Sequence, residues 1–280
     1  MKRALSILTL VGGLVFLGLR VLGAAPHTSS LAVVSLQGQT PLFQAAGTKS
    51  LRSIHFVASP PAVDGILGDW PTGESADLNR STAYAFSGRI DGTADLSATI
   101  RSGWTVDTLF FAVQVSDDVI VADTADVWRD DGVEFGLDGL RDKQPWGADD
   151  HQYTVVVDGR VTDRGVATQA ITAAVAIRPG GYDVEVAIPM ARLMSGVPIS
   201  GTVMGFTIGL HDDDDGGHWD AYLIWDGTNT SSLADQYASL VFIERPEDKI
   251  AFLEAKVAQL EAKVQELLTI LSEFEGVTPP

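Results

Sequence analysis

The chain has no cysteine. That excludes a disulfide framework, a thiolate metal site and a cysteine nucleophile. Positive charge is scarce as well: 19 Lys and Arg stand against 37 Asp and Glu, a formal charge of −18 over 280 residues. A surface this negative repels phosphate backbones and anionic lipid, so nucleic acid is not an expected partner. It suits neutral ligands and divalent cations, or it serves only to keep the protein in solution. Long intervening helices are missing between residues 53 and 243. Also missing are a G-x-S-x-G serine, an H-E-x-x-H zinc motif and a phosphate-binding glycine loop. Paired carboxylates such as Asp130 with Glu134 could do glycosidase work, but acids are everywhere and nothing singles out one pair. The expectation is that the chain is not an enzyme.

What is present begins with a charged start. Lys2 and Arg3 precede an apolar run from Ala4 to Leu19, and small residues follow at Gly23, Ala24 and Ala25. This is the pattern of an export signal over residues 1–25, with a retained membrane anchor as the alternative. The expected location is secreted, periplasmic or cell-surface. Residues 26–52 are rich in Ser, Thr, Gln, Gly and Ala without sustained periodicity, which reads as a linker.

From 53 to 243 the hydrophobic period is two. Leu109, Phe111, Val113 and Val115 alternate with Phe110, Ala112, Gln114 and Ser116, and Val133, Phe135 and Leu137 alternate with Glu134, Gly136 and Asp138. Tyr182 to Ile188 and Met204 to Leu210 behave alike. Each set occupies one face of a sheet. Turn-forming pairs separate the runs: Asp64-Gly65, Asp91-Gly92, Asp131-Gly132, Asp158-Gly159 and Gly180-Gly181. The expected fold is all-β, an antiparallel, jelly-roll-like β-sandwich.

After Ile243 the period changes. Pro246, Glu247 and Asp248 start a helix. Ile250, Leu253, Val257, Leu260, Val264, Leu267, Leu271 and Phe274 then follow steps of three and four, a heptad over residues 246–275. Lys249 and Lys256 at g meet Glu254 and Glu261 at e in a parallel pair, whereas an antiparallel pair opposes like charges. A parallel homodimer through a coiled coil is expected, the alternative being a helix folded back on its own domain.

Two acidic stretches are candidates for hard-cation binding. One holds Asp117, Asp118, Asp123, Asp126, Asp130, Asp131 and Glu134; the other runs from His211 through Asp212, Asp213, Asp214 and Asp215 to Asp220. Calcium takes six to eight oxygen ligands, and adjacent aspartates repel unless a cation or water screens them. Solvated acidic loops are the alternative, and His211 with His218 raises zinc as a weaker one. Trp128, among polar neighbours, could stack on the apolar face of a sugar ring or sit half-buried at a sheet edge.

At these residues a family resemblance emerges. The stretch Trp128-Arg129-Asp130-Asp131-Gly132-Val133-Glu134-Phe135-Gly136-Leu137-Asp138 resembles the W-x-x-D-x-V-E-x-x-x-D segment of family 9 carbohydrate-binding modules. Val63-Asp64-Gly65 with Asp69-Trp70, Leu109 to Asp117, Asp150 to Tyr153, Gly181 to Pro189 and Gly205 to Asp212 follow the same pattern in order, over roughly residues 54–243. The resemblance implies a calcium-stabilised β-sandwich, without catalytic activity, that binds glucose- or xylose-type saccharides and usually sits beside a hydrolase. It implies sugar-binding roles for Trp128, Glu134 and Gln152. It also places Thr154 where the family has a basic residue and Leu233 where it has a second tryptophan, so weak binding is expected. Asp117, Asp126 and Asp131 are implied near the calcium, with Asp212 and Asp214 added from the acidic run. A cell-envelope structural or adhesive protein reusing the sandwich is the alternative.

Overall fold

The computed structural model describes residues 9–11, 14–16, 49–56, 59–144, 146–228, 230 and 234–275. It forms two units, Met1–Gln44 and Ala45–Pro280. In the first, β1 (Thr9–Val11) pairs antiparallel with β2 (Leu14–Phe16). The rest of the expected signal and the linker up to residue 48 lie outside the described residues.

The second unit contains β3 (Ser50–His55), β4 (Ala76–Leu78), β5 (Tyr84–Ser87), β6 (Leu96–Trp104), β7 (Thr108–Asp117), β8 (Gly132–Asp138), β9 (Asp150–Val156), β10 (Val161–Asp163) and β11 (Val166–Ala167). It continues with β12 (Thr172–Arg178), β13 (Gly181–Pro189), β14 (Val203–Asp212), β15 (Ala221–Ile224), β16 (Ala238–Ile243) and helix α1 (Pro246–Glu275). The strands run in the order β11-β10-β9-β8-β14-β16-β3-β6-β7-β13-β12, with β15 and β5 branching from β14, and β4 from β6. This sheet curls until its two halves face each other. Phe111 of β7 stacks on Phe206 of β14 at 5.0 Å and meets Phe135 of β8 at 5.2 Å. The residues that alternate in sequence, Leu109, Phe111, Val113 and Val115 with Val133, Phe135 and Leu137, fill the space between the halves and are fully buried. Their removal from water is the main stabilising term, about 1.5–3 kcal/mol for each large side chain.

Three expectations need correction. The sheet is mixed: β3 runs parallel to both β16 and β6, joining the first and last parts of the domain. A period of two reports which face a residue occupies, not which way its neighbour runs. β3 also begins at Ser50, inside the expected linker, and Leu51 is buried. Finally, Asp131-Gly132 is not a turn. Gly132 opens β8 opposite Val156, where a Cβ would lie 2.8 Å from the Val155 carbonyl oxygen. Close backbone approach selects glycine there.

Phe110 and Ala112, on the other face of β7, are also buried, against Trp70. Buried Glu185 fastens this cover. It accepts hydrogen bonds from Trp70 Nε1 at 2.6 Å and from the amides of Asp64 and Gly65 at 3.0 and 2.7 Å. Helix α1 contrasts with the sandwich: Ile250, Leu253, Val257, Leu260, Val264 and Leu267 are 51–63% exposed. The apolar stripe is therefore not folded back on the domain over these positions. No helix among the described residues is long and apolar enough to cross a membrane.

Candidate functional site

Where Val133, Phe135 and Leu137 point into the core, Glu134 points to the opposite face of β8. The register of the sheet gives it neighbours: Thr154 lies across from it on β9 and Gly209 on β14, while His211 pairs with Tyr222 of β15. Gly209 has a spatial reason. A Cβ there would come within 2.6 Å of the Tyr222 ring, so its absence lets that ring lie across the sheet. Tyr222 Oη donates to Glu134 Oε1 at 2.9 Å and meets Thr230 Oγ1 at 2.5 Å. His211 Nε2 lies 3.3 Å from Glu134 Oε2, and the imidazole stacks on the Tyr222 ring at 4.3 Å. Thr154 Oγ1 lies 3.4 Å from the same carboxylate oxygen.

These groups form the floor of a cavity of about 370 Å³, walled by Val127, Trp128, Arg164, Gly165 and Trp219, with Gln152 also lining it. Trp128, from the loop before β8, is 43% exposed. Trp219, from the β14–β15 hairpin, is half-buried. Arg164 sits in the β10–β11 turn with φ of 51°. Its guanidinium lies over the Trp146 ring at 4.2 Å, and its Nη2 donates to the carbonyls of Gly147, at 3.1 Å, and Asp150.

Burial disfavours charge on Glu134, but the hydrogen bond and charge of His211, with bonds from Gln152 and Tyr222, outweigh it. They hold the carboxyl below its usual range. Burial and the adjacent Glu134 charge push the Tyr222 phenol well above its usual value, so it stays a donor. His211 is buried, and its Nδ1 has no partner among the described residues. The cavity thus joins an ionised acceptor and its hydrogen-bonding neighbours on the floor with aromatic surface on its walls. Such an arrangement can hold a neutral ligand that is apolar on its faces and hydroxylated at its edge.

Four of the expected ligand-contacting residues, Trp128, Glu134, Gln152 and Thr154, line this one cavity. Leu233 lies outside the described residues. Sequence reading missed Arg164, Trp219, Tyr222 and Thr230, which come from turns and hairpins brought in by strand pairing. The one usable signal was Trp219 within the acidic run. His218 is exposed and its ring meets Trp219, whereas His211 faces Glu134. The two histidines therefore serve different places.

The acidic stretches meet at one end of the sandwich. Asp117 ends β7, Asp131 precedes β8 and Asp212 ends β14, and all three are buried with one carboxylate oxygen each within 4.8 Å of the others. Asp131 accepts amide bonds from Val121 at 2.5 Å and Asp213 at 2.8 Å. Asp117 Oδ2 and both oxygens of Asp212 have no partner among the described residues. Burial, aggravated by the neighbouring carboxylates, pushes Asp117 up to about 7, Asp131 to about 8 and Asp212 to about 9. Orphaned hard oxygens in a buried site fit a divalent cation such as calcium. Asp126 is not part of this group: it is half-exposed and pairs with Arg129 at 3.2 Å. Asp214 is not either, lying on the surface with Asp95 and Asp118. Both sit on loop positions that point outward, which residue spacing does not reveal.

The family described as carbohydrate family 9 binding domain-like matches residues 69–239. Endo-1,4-beta-xylanase A of Thermoanaerobacterium saccharolyticum is 31% identical over 153 residues, which is 52% of this chain and 12% of that protein. Exoglucanase XynX of Acetivibrio thermocellus is 28% identical over 159 residues, 56% of this chain and 13% of that protein. The chain therefore spans only about an eighth of these relatives. Among solved structures, a family 9 carbohydrate-binding module of Caldicellulosiruptor kristjanssonii in complex with cellotriose aligns with a TM-score of 0.57 at 21% identity. The alignment covers 71% of this chain and 96% of that one. The same module in complex with glucose gives 0.57 at 22%, covering 70% and 97%. At these identities the structures share the fold.

Proposed function

This chain belongs to the carbohydrate family 9 binding domain-like family, and from that premise we propose that it is an exported, non-catalytic sugar-binding module. Its ligand is a glucose- or xylose-type oligosaccharide, seated in the cavity between Trp128 and Trp219 with its hydroxyls on Glu134. The observation that carries this is the pairing of two tryptophan walls with one buried, ionised carboxylate in a single cavity. Trp219 supplies an aromatic wall although Leu233 stands at the expected position, and Arg164 supplies a cationic donor although residue 154 is threonine. Stacking contributes on the order of 1 kcal/mol beyond area burial, so the cavity retains what those two departures would otherwise remove.

Titration calorimetry against glucose, cellobiose and xylobiose tests the reading. Wild type should bind at least one of them, and Trp219→Ala should weaken that binding by about tenfold or more, a loss of about 1.4 kcal/mol. Absence of binding to all three by wild type refutes it.

Two further parts of the proposal concern cofactor and assembly. Calcium is assigned to Asp117, Asp131 and Asp212, where it would neutralise the buried charge and tie β7, β8 and β14 together. The apolar stripe of α1 is assigned to a second copy in parallel. Its support is the exposure of the stripe, together with Lys249 and Lys256 facing Glu254 and Glu261 of the partner helix in that orientation.

A further inference from the structure

A second acidic group lies at the opposite end of β8 and β9. Asp138 ends β8, and Asp150 opens β9 directly opposite it in the register. With Asp149, each brings a carboxylate oxygen to within 4.8 Å of the others. Asp138 and Asp150 are 0% and 2% exposed.

The neighbouring hydrogen bonds leave this group incomplete. Asp138 accepts amides of Asp142 and Lys143 at 3.2 and 3.1 Å, and Asp149 Oδ2 accepts the amide of Leu140 at 2.8 Å. Asp150 Oδ2 accepts the amide of Gly147, but its Oδ1 is buried with no partner among the described residues. A buried carboxylate oxygen without a partner is costly unless something not among the protein's own groups meets it. The hydrogen bonds of two nearby arginines go to other oxygens. Arg164 donates to the main-chain carbonyls of Gly147 and Asp150 and lies over Trp146, while Arg141 Nη2 donates to Ser239 Oγ at 3.0 Å. Arg164 lies near enough to favour charge on Asp150, yet among the described residues no group donates to Asp150 Oδ1.

We propose that Asp138, Asp149 and Asp150 form a second divalent-cation site, separate from the one at Asp117, Asp131 and Asp212 and suited to calcium by its all-oxygen donors. The cation gives Asp150 Oδ1 its missing partner and pins the 139–149 connection onto the end of β8 and β9. That connection holds Arg141, Lys143 and Trp146 in left-handed conformations, with φ of 54°, 60° and 56°. Such conformations persist in non-glycine residues where the surroundings hold them.

The test counts ions and does not depend on sugar binding. The full chain is stripped with chelator and titrated with calcium. Wild type should take up at least two equivalents, with Asp149→Asn and Asp150→Asn each losing one. Asp212→Asn should lose a different one, so that Asp149→Asn combined with Asp212→Asn loses both. Terbium, excited through tryptophan, should emit less in Trp146→Phe, because this indole lies in the same connection. Should Asp150→Asn not fold, the half-buried Asp149→Asn and the terbium signal still decide. Wild-type calcium uptake in a folded Asp149→Asn, with terbium emission unchanged in Trp146→Phe, overturns the proposal. A wild type that binds two calcium ions and no sugar would refute the sugar reading and support this site.

Discussion

Removal of calcium should make the protein lose stability as pH rises, the reverse of ordinary acid denaturation. Asp117, Asp131 and Asp212 have folded-state values of about 7, 8 and 9 without a cation, against 3.8 in an unfolded chain. Raised carboxylate values mean that, between these limits, the folded state holds protons the unfolded state has released. Stability is therefore fully present below 3.8 and is lost as pH climbs through the folded values. Each such group removes about 1.4 kcal/mol per pH unit. From pH 5 to pH 7 one group alone removes roughly 3 kcal/mol, a large part of the about 5–15 kcal/mol that holds a domain together. At about 2–4 °C per kcal/mol for a domain of this size, the chelated protein should melt on the order of 10 °C lower at pH 7 than at pH 5. Calcium ionises and satisfies the carboxylates, so it should raise the melting temperature more at pH 7 than at pH 5. At a hundredfold excess over its dissociation constant it contributes about 2.7 kcal/mol. Thermal melts at the two pH values, with chelator and with calcium, read this directly. A chelated protein whose melting temperature is flat or rises between pH 5 and 7, and which calcium does not shift, would show that the three carboxylates are not held as described.

Arg164→Gln should weaken oligosaccharide binding by about tenfold in calorimetry, the low end of the roughly 1.5–3 kcal/mol of a charged hydrogen bond, because Arg164 is exposed. Unchanged affinity would remove it from the ligand-contacting set. Leu260→Asp places a charge in the exposed stripe of α1 and should convert a dimer to monomer in sedimentation, leaving the melting of the sandwich unchanged. A wild type that is already monomeric at high concentration would refute assembly through the helix.

Much of the sandwich was legible in the chain. The alternation of Val133, Phe135 and Leu137 with Glu134 follows from the pleat alone, which sends neighbouring side chains to opposite faces. The pleat also puts Gln152 and Thr154 on one face of their strand, but only the pairing of β8 with β9 sets them beside Glu134. The apolar stripe of α1 likewise follows from its heptad, whereas its exposure does not. Other features depended on partners far along the sequence. Trp219 and Arg164 reach the cavity only because β14 pairs with β8 and with β15, and β10 with β9. Asp126 and Asp214 look no different in sequence from Asp131 and Asp212, yet they point outward.

The sequence by itself determined the all-β class, the face each strand residue occupies, the acidic character and the helical stripe, because these depend on local periodicity and charge. Only the tertiary structure decided which carboxylates are buried together, which loops wall the cavity, and that β3 runs parallel between β16 and β6. Those outcomes depend on strand order and register, which are set by long-range packing of faces that many different sequence separations could supply.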